Sequence, residues 1–139
     1  GQVLDLEGEG KDLSKAQLIR IHENKTAALL TTSLRLGGMT ANATPRQLAA
    51  LTDFGYNLGL AFQVIDDILD VTQSTEQLGK TAGKDEAVDK ATYPSILGLD
   101  KSKKEAARLT KKALAALSAF GKKAVRLETI AHYLLDRDY

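Results

Sequence analysis

Apolar residues recur at intervals of three and four along most of the chain, which is the spacing of amphipathic helices. The first clear helix is predicted to begin after Ser14, an N-cap residue with Gln17 at the capping-box position, and to end at Gly37-Gly38. Residues 1–13 begin apolar and end in a loop rich in glycine and charge. The predicted helix carries a stripe of apolar residues, namely Leu18, Ile21, Leu29, Leu30, Leu34 and Leu36.

A second helix begins as clearly. Thr44 is a capping residue, Pro45 suits the first helical position, and Gln47 completes another capping box. The helix is predicted to continue to about residue 71, a length of roughly 40 Å at 1.5 Å per residue. Gly55 and Gly59 lie four positions apart on one face. Their spacing favours close packing against another helix over a break.

The rest of the chain repeats the helical pattern after a gap. Residues 72–92 are predicted to form a polar loop, and Tyr93-Pro94 restarts a helix. An amphipathic stretch follows over about 102–120 and is expected to end at Gly121. A last helix, about 122–136, directs inward Leu127, Ile130, Ala131, Leu134 and Leu135. The pattern predicts an all-α helical bundle of four or five helices, with residues 1–139 in one domain.

The amino-acid composition argues against several classes of function. The chain has 139 residues with 19 basic and 18 acidic side chains, a balance that argues against a nucleic-acid binder. It contains no cysteine, which excludes disulfides, thiolate metal sites and a cysteine nucleophile, and which is typical of a reducing compartment. Neither a signal peptide nor a membrane span is predicted. These features favour a cytoplasmic location.

Three carboxylates, Asp66, Asp67 and Asp70, stand out on the second helix. At about 100° per residue they share with Gln63 an arc of about 100°. No Lys or Arg three or four positions away neutralises them, and like charges this close repel. Two interpretations remain open: a solvated acidic helix end, or a site for Mg²⁺, which prefers carboxylate oxygens. Residues on the same arc earlier in the helix are expected to be buried, namely Thr52, Gly55, Tyr56, Gly59 and Leu60.

Several lysines become candidates for ligand binding if that acidic cluster binds a metal ion. Lys25 lies on a largely apolar helical stripe, where a lysine commonly lays its stem along the surface, and Thr26 follows it. Lys80, Lys84 and Lys90 lie in the predicted loop after the acidic helix. Alone they indicate a solvated loop; after a Mg²⁺ site they are suited to binding a diphosphate.

Together these residues resemble the trans-isoprenyl diphosphate synthases, most closely the bacterial farnesyl diphosphate synthases and related short-chain enzymes. Asp66-Asp67-Ile68-Leu69-Asp70, preceded by Phe62-Gln63, is similar to the family's second aspartate-rich motif, DDxxD. Further likenesses are the segment Gln2-Val3-Leu4-Asp5-Leu6, the pair Lys25-Thr26, and the lysine-bearing run Leu78-Gly79-Lys80 with Asp85 and Lys90. The resemblance extends over the whole chain.

The resemblance implies a Mg²⁺-dependent condensation of isopentenyl diphosphate with an allylic diphosphate such as dimethylallyl or geranyl diphosphate. It implies metal binding by Asp66, Asp67 and Asp70. Lys25, Lys80 and Lys90 would bind diphosphate, and Lys25, Thr26 and Gln63 would take part in catalysis. Gln2 and Asp5 would contact these residues and hold them in position without binding the substrate themselves. The expected product is a short-chain isoprenyl diphosphate such as farnesyl diphosphate.

The resemblance covers only the C-terminal half of the isoprenoid synthase fold. The family's first aspartate-rich motif belongs to an N-terminal half that has no match here, so we expect this chain alone to be inactive. The complete protein is expected to be a homodimer, as is usual in the family. The alternative hypotheses are a non-catalytic subunit of a heteromeric synthase and a helical interaction module.

Overall fold

The computed structural model describes residues 1–78 and 91–135, with the side chains of 73–78 left aside. These residues contain helices and connecting turns and no strand, so the predicted all-α class is confirmed. A π-helical turn, Glu23–Ala27, joins α2 to α3, and a 3₁₀ segment, Leu117–Ala124, joins α6 to α7. The α-helices in this part of the chain are α1 Gln2–Gly8, α2 Lys15–His22, α3 Ala28–Thr40, α4 Pro45–Leu78, α5 Tyr93–Leu97, α6 Leu99–Ala116 and α7 Val125–Leu135.

Two predicted helix starts are confirmed by their hydrogen bonds. At α2, the Gln17 backbone N–H donates to the Ser14 hydroxyl over 3.4 Å, and the Gln17 side chain accepts from the Ser14 N–H at 2.9 Å. Thr44 and Gln47 make the same reciprocal pair at α4, at 3.3 and 2.9 Å. Each box satisfies two backbone donors that lack a partner within the helix, which is why the boundary could be predicted locally.

The predicted end of the first helix is wrong. The helix continues through Gly37 and Gly38 to Thr40. Gly38 is buried, and a Cβ added to it would lie 2.6 Å from the Leu51 side chain, so this glycine permits close packing of α3 on α4. The chain turns instead at Asn42, whose φ of 54° is the left-handed conformation that asparagine tolerates.

Two other stretches are more helical than predicted. Residues 2–8 form α1, although only an apolar start and a loop were expected. Helix α4 continues from residue 72 to 78, within the predicted polar loop. Polarity alone does not end a helix, whereas glycine and proline commonly do. Residues 72–78 contain neither glycine nor proline, so nothing in this stretch opposes the continuation of α4.

Helix α4 is the centre of the bundle. It packs most extensively against α6 and α3. Phe54, Ile65 and Ile68 of α4 are fully buried and belong to one hydrophobic core with Leu109 and Leu117. By length and composition, Pro45–Thr72 could cross a membrane, but 56% of the tested window is buried among the other helices. The central position of α4 therefore accounts for its apolar character.

The predicted close approach at Gly55 and Gly59 is confirmed. A Cβ added to Gly59 would lie 2.5 Å from Ala27 Cα, and one added to Gly55 would lie 2.8 Å from Thr31 Cα. As the position on α4 decreases from 59 to 55, the position of its neighbour increases from 27 to 31. The two helices are therefore antiparallel and nearly in backbone contact, which only glycine allows.

The last helices follow the prediction with one exception. Gly121, with φ 53° and ψ −138°, breaks the helix before α7. Ile130 was expected to face inward but is 50% exposed, whereas Ala131 and Leu135 are buried. Ile130 borders an apolar groove of about 470 Å³ between α3, α4 and α7, and its exposure follows from that open groove.

Candidate active site

Lys25 and Thr26 lie in the π-helical turn Glu23–Ala27. A π turn inserts one extra residue into a helix and redirects the side chains that it carries. The turn is packed from two sides: Gly59 of α4 contacts Ala27, and Gly1 contacts the backbone of residues 24 and 25. Both side chains are half-buried. The position of Lys25 and Thr26 is thus fixed by neighbouring helices.

Lys25 is held by Asp5 of α1. Lys25 Nζ lies 2.5 Å from Asp5 Oδ2, and both side chains are partly buried. A charge-assisted hydrogen bond in such surroundings orients the ammonium group more firmly than an exposed ion pair would. Asp5 therefore contacts Lys25 directly, while Gln2 of the same helix is exposed.

The π turn has a second polar contact, between Tyr56 of α4 and Glu23. The Tyr56 hydroxyl donates to Glu23 Oε1 at 2.5 Å. This hydrogen bond, with burial and the nearby negative charge, raises the pKa of Tyr56 to about 12. Tyr56 is 39% exposed, so the expectation that it is buried is wrong. Sequence reasoning missed the pairing with Glu23, because the π turn that brings it within reach has no local sequence signal.

Gln63 and Asp66 lie on α4, about one and two turns beyond Gly59. Gln63 is buried, and its Nε2 donates to Asp66 Oδ2 over 3.4 Å. Asp66 is half-buried and Asp70 is exposed. Because α4 runs antiparallel to α3 and Gly59 contacts Ala27, Gln63 lies at the end of the helix pair that carries Lys25 and Thr26.

Asp67 has different surroundings from the other two carboxylates. It is only 4% exposed, and its Oδ2 accepts a 2.9 Å hydrogen bond from the backbone N–H of Tyr93. The same oxygen lies 3.5 Å from His22 Nε2. The His22 ring stacks on Tyr93 with centroids 5.6 Å apart and planes at 22°. Sequence reasoning missed His22 and Tyr93, whose contact with Asp67 joins three helices far apart in sequence.

The three aspartates of the arc therefore differ in burial and in the groups that they contact. Within residues 1–78 and 91–135, no group of three or more His, Asp or Glu side chains is arranged to hold a metal ion. Lys80 and Lys90, the other expected diphosphate ligands, lie outside the described residues. The described part of the candidate site comprises Lys25 and Thr26 in the π-helical turn, and Gln63 of α4 with Asp66 and Asp70 one and two turns further along that helix.

Comparison with known proteins identifies the family. The polyprenyl synthetase family model matches residues 1–130, and the chain belongs to that family. The chain is 47% identical over 140 residues to a chloroplastic geranylgeranyl pyrophosphate synthase of Catharanthus roseus, which covers 99% of this chain and 39% of the relative. It is 41% identical over 142 residues to farnesyl diphosphate synthase of Escherichia coli, and the match covers 99% of this chain and 48% of that protein.

A solved structure supports the same assignment. A geranyltransferase of Helicobacter pylori, complexed with magnesium and isoprenyl diphosphate, superposes with a TM-score of 0.71 at 35% identity, covering 97% of this chain and 44% of that one. The chain thus spans less than half the length of each of these relatives. The relatives make products of two different lengths, so the family assignment leaves product length open.

Proposed function

We propose that the complete protein containing this chain is a prenyltransferase that condenses isopentenyl diphosphate with an allylic diphosphate. The product would be a short-chain isoprenyl diphosphate, such as farnesyl diphosphate. The observation that carries the proposal is the position of the Lys25-Thr26 turn, which is packed by Gly59 of α4, about one turn before Gln63 and two before Asp66. Cationic and carboxylate groups brought together in this way suit an anionic substrate bound with a cation.

The chemistry of the donor set fits Mg²⁺. Asp66 and Asp70 are hard oxygen donors on the more open side of α4, where an ion could keep part of its water shell. Together with carboxylates from the rest of the protein, these two would hold the ion. When bound, Mg²⁺ would neutralise the diphosphate and draw negative charge onto the leaving group. The Helicobacter pylori relative, which contains magnesium and isoprenyl diphosphate, supports this choice of ion.

The remaining residues have roles that follow from their charge and position. Lys25, held by Asp5, would present a fixed positive charge to the diphosphate as it leaves. Thr26 and Gln63 would orient the substrate and face the allylic cation, which the complete active site would have to shield from water. Lys80 and Lys90 are proposed as further diphosphate ligands from the resemblance alone.

Location and assembly follow the same resemblance. We propose a cytoplasmic homodimer in which residues outside this chain complete the active site. Since the chain covers 39% to 48% of its relatives, the missing portion would supply the other acidic motif.

The proposal is tested by Asp66→Asn in the complete protein, assayed with isopentenyl diphosphate, geranyl diphosphate and Mg²⁺. Removing one carboxylate charge is expected to lower kcat at least about 100-fold, equal to about 3 kcal/mol of barrier, and to raise the Mg²⁺ concentration that gives half-maximal rate. Asp53→Asn is the matched control, because Asp53 is exposed on the same helix, between three and four turns away.

Two results would refute the proposal in different ways. Full turnover by Asp66→Asn would remove this residue from the metal site. A folded wild-type protein without Mg²⁺-dependent prenyl transfer would favour the non-catalytic subunit or the interaction module.

A further inference from the structure

Asp67 is the most buried carboxylate of the acidic motif, and its side chain contacts residues of two other helices. It is 4% exposed, whereas Asp66 is half-buried and Asp70 is exposed. A buried carboxylate is costly unless hydrogen bonds satisfy it. Here the Tyr93 backbone N–H donates to Oδ2 at 2.9 Å, and His22 Nε2 lies 3.5 Å from the same atom.

These contacts join three helices at one oxygen. Asp67 is on α4, His22 is the last residue of α2, and Tyr93 is the first residue of α5. His22 also stacks on Tyr93, so each of the three residues contacts the other two. Both aromatic residues and Asp67 are buried, so the contact is part of the packed interior.

The contacts of Asp67 with His22 and Tyr93 affect the orientation of Asp66 and Asp70. Asp66 precedes Asp67 by about 100° around the helix, and Asp70 follows it by about 300°, so both directions depend on how α4 is rotated. A polar bond from Asp67 to a neighbouring helix fixes that rotation. A Mg²⁺ ligand would by contrast need room for the waters that the ion retains, and the surroundings of Asp67 leave little.

We infer that Asp67 is a positioning residue, which anchors α4 to α2 and α5 and thereby aims Asp66 and Asp70, and that it is not itself a metal ligand. The inference rests on the proposed function and assigns different roles to aspartates that the motif treats alike. It revises the sequence-based prediction of three metal ligands.

The test compares Asp67→Asn with Asp67→Ala and Asp66→Asn in the complete protein. Asparagine keeps the shape and an oxygen that accepts from the Tyr93 N–H, while it removes the charge that a metal needs. Asp67→Asn is therefore expected to keep kcat within about 3-fold of wild type, with an unchanged Mg²⁺ requirement. Asp67→Ala is expected to lower kcat about 10- to 100-fold, because a displacement near 1 Å is that costly.

Amide hydrogen exchange provides a readout that does not depend on turnover. Asp67→Ala is expected to speed exchange of the Tyr93 amide, and Asp67→Asn and Asp66→Asn are expected to leave it slow. If Asp67→Ala does not fold, the kinetics and exchange of Asp67→Asn decide.

The inference is overturned if folded Asp67→Asn loses activity as Asp66→Asn does, with a higher Mg²⁺ requirement. It is also overturned if Asp67→Ala retains wild-type exchange at Tyr93. An inactive wild-type protein would refute the proposed function instead, and the exchange comparison would still test the anchor.

Discussion

The close contact between Gly59 and the π turn makes a quantitative prediction for Gly59→Ala. The added Cβ would lie 2.5 Å from Ala27 Cα and 2.9 Å from Ala27 Cβ, whereas carbon atoms prefer about 3.5–4.0 Å. The helices must therefore separate by roughly 1–1.5 Å at this point. Overpacking costs about 1–3 kcal/mol, and contact with backbone indicates the upper end. Alanine regains about 1 kcal/mol of helix propensity, which leaves a net destabilisation near 2 kcal/mol.

The same displacement would move Lys25 and Thr26, which lie in the turn that Gly59 contacts. A shift of about 1 Å near reacting groups lowers the rate about 100-fold, so kcat is expected to fall more than stability alone requires. The measurements are urea unfolding and steady-state kinetics of the complete protein. Gly37→Ala is the matched control, since it is helical and a Cβ there meets nothing within 4 Å.

The control is expected to stabilise the protein by about 0.5–1 kcal/mol without changing kcat. If Gly59→Ala behaves as Gly37→Ala does, with higher stability and full activity, the reasoning from backbone contact is refuted.

Two further predictions concern tyrosines. Tyr56→Phe removes the hydrogen bond to Glu23 and is expected to lower the free energy of unfolding by about 1 kcal/mol and kcat several-fold. The control is Tyr133→Phe, at an 84% exposed site, which should change neither quantity. Equal effects of the two substitutions would contradict a role for the bond. Tyr56 and the buried Tyr93 both have pKa values raised to about 12, mainly by the Glu23 hydrogen bond and by burial respectively. The folded state therefore favours the neutral phenols, and their stabilisation is complete below pH 10 and lost as pH rises through 12; urea midpoints that stay constant over this range would contradict the prediction.

The helix starts, the packing glycines and the family could be predicted from the sequence because each depends on a short local pattern. A capping box at Ser14 or Thr44 satisfies its own backbone donors, whatever packs nearby. Gly55 and Gly59, four apart on an apolar helix, indicated a close neighbour without naming it. The acidic motif and the Lys25-Thr26 pair carried the resemblance that the family match confirmed.

The tertiary structure decided what local patterns cannot encode. Gly38 was expected to end a helix, but contact with Leu51 gives it a packing role inside one. The π turn around Lys25 lies between contacts from Gly1 and Gly59, which no window of neighbouring residues contains. Helical periodicity placed Asp67 on an acidic arc, yet its surroundings depend on Tyr93, 26 positions away. Periodicity fixes a residue's angle around its own helix, and only the packing of other helices determines whether that angle meets water, a neighbouring backbone or a ligand.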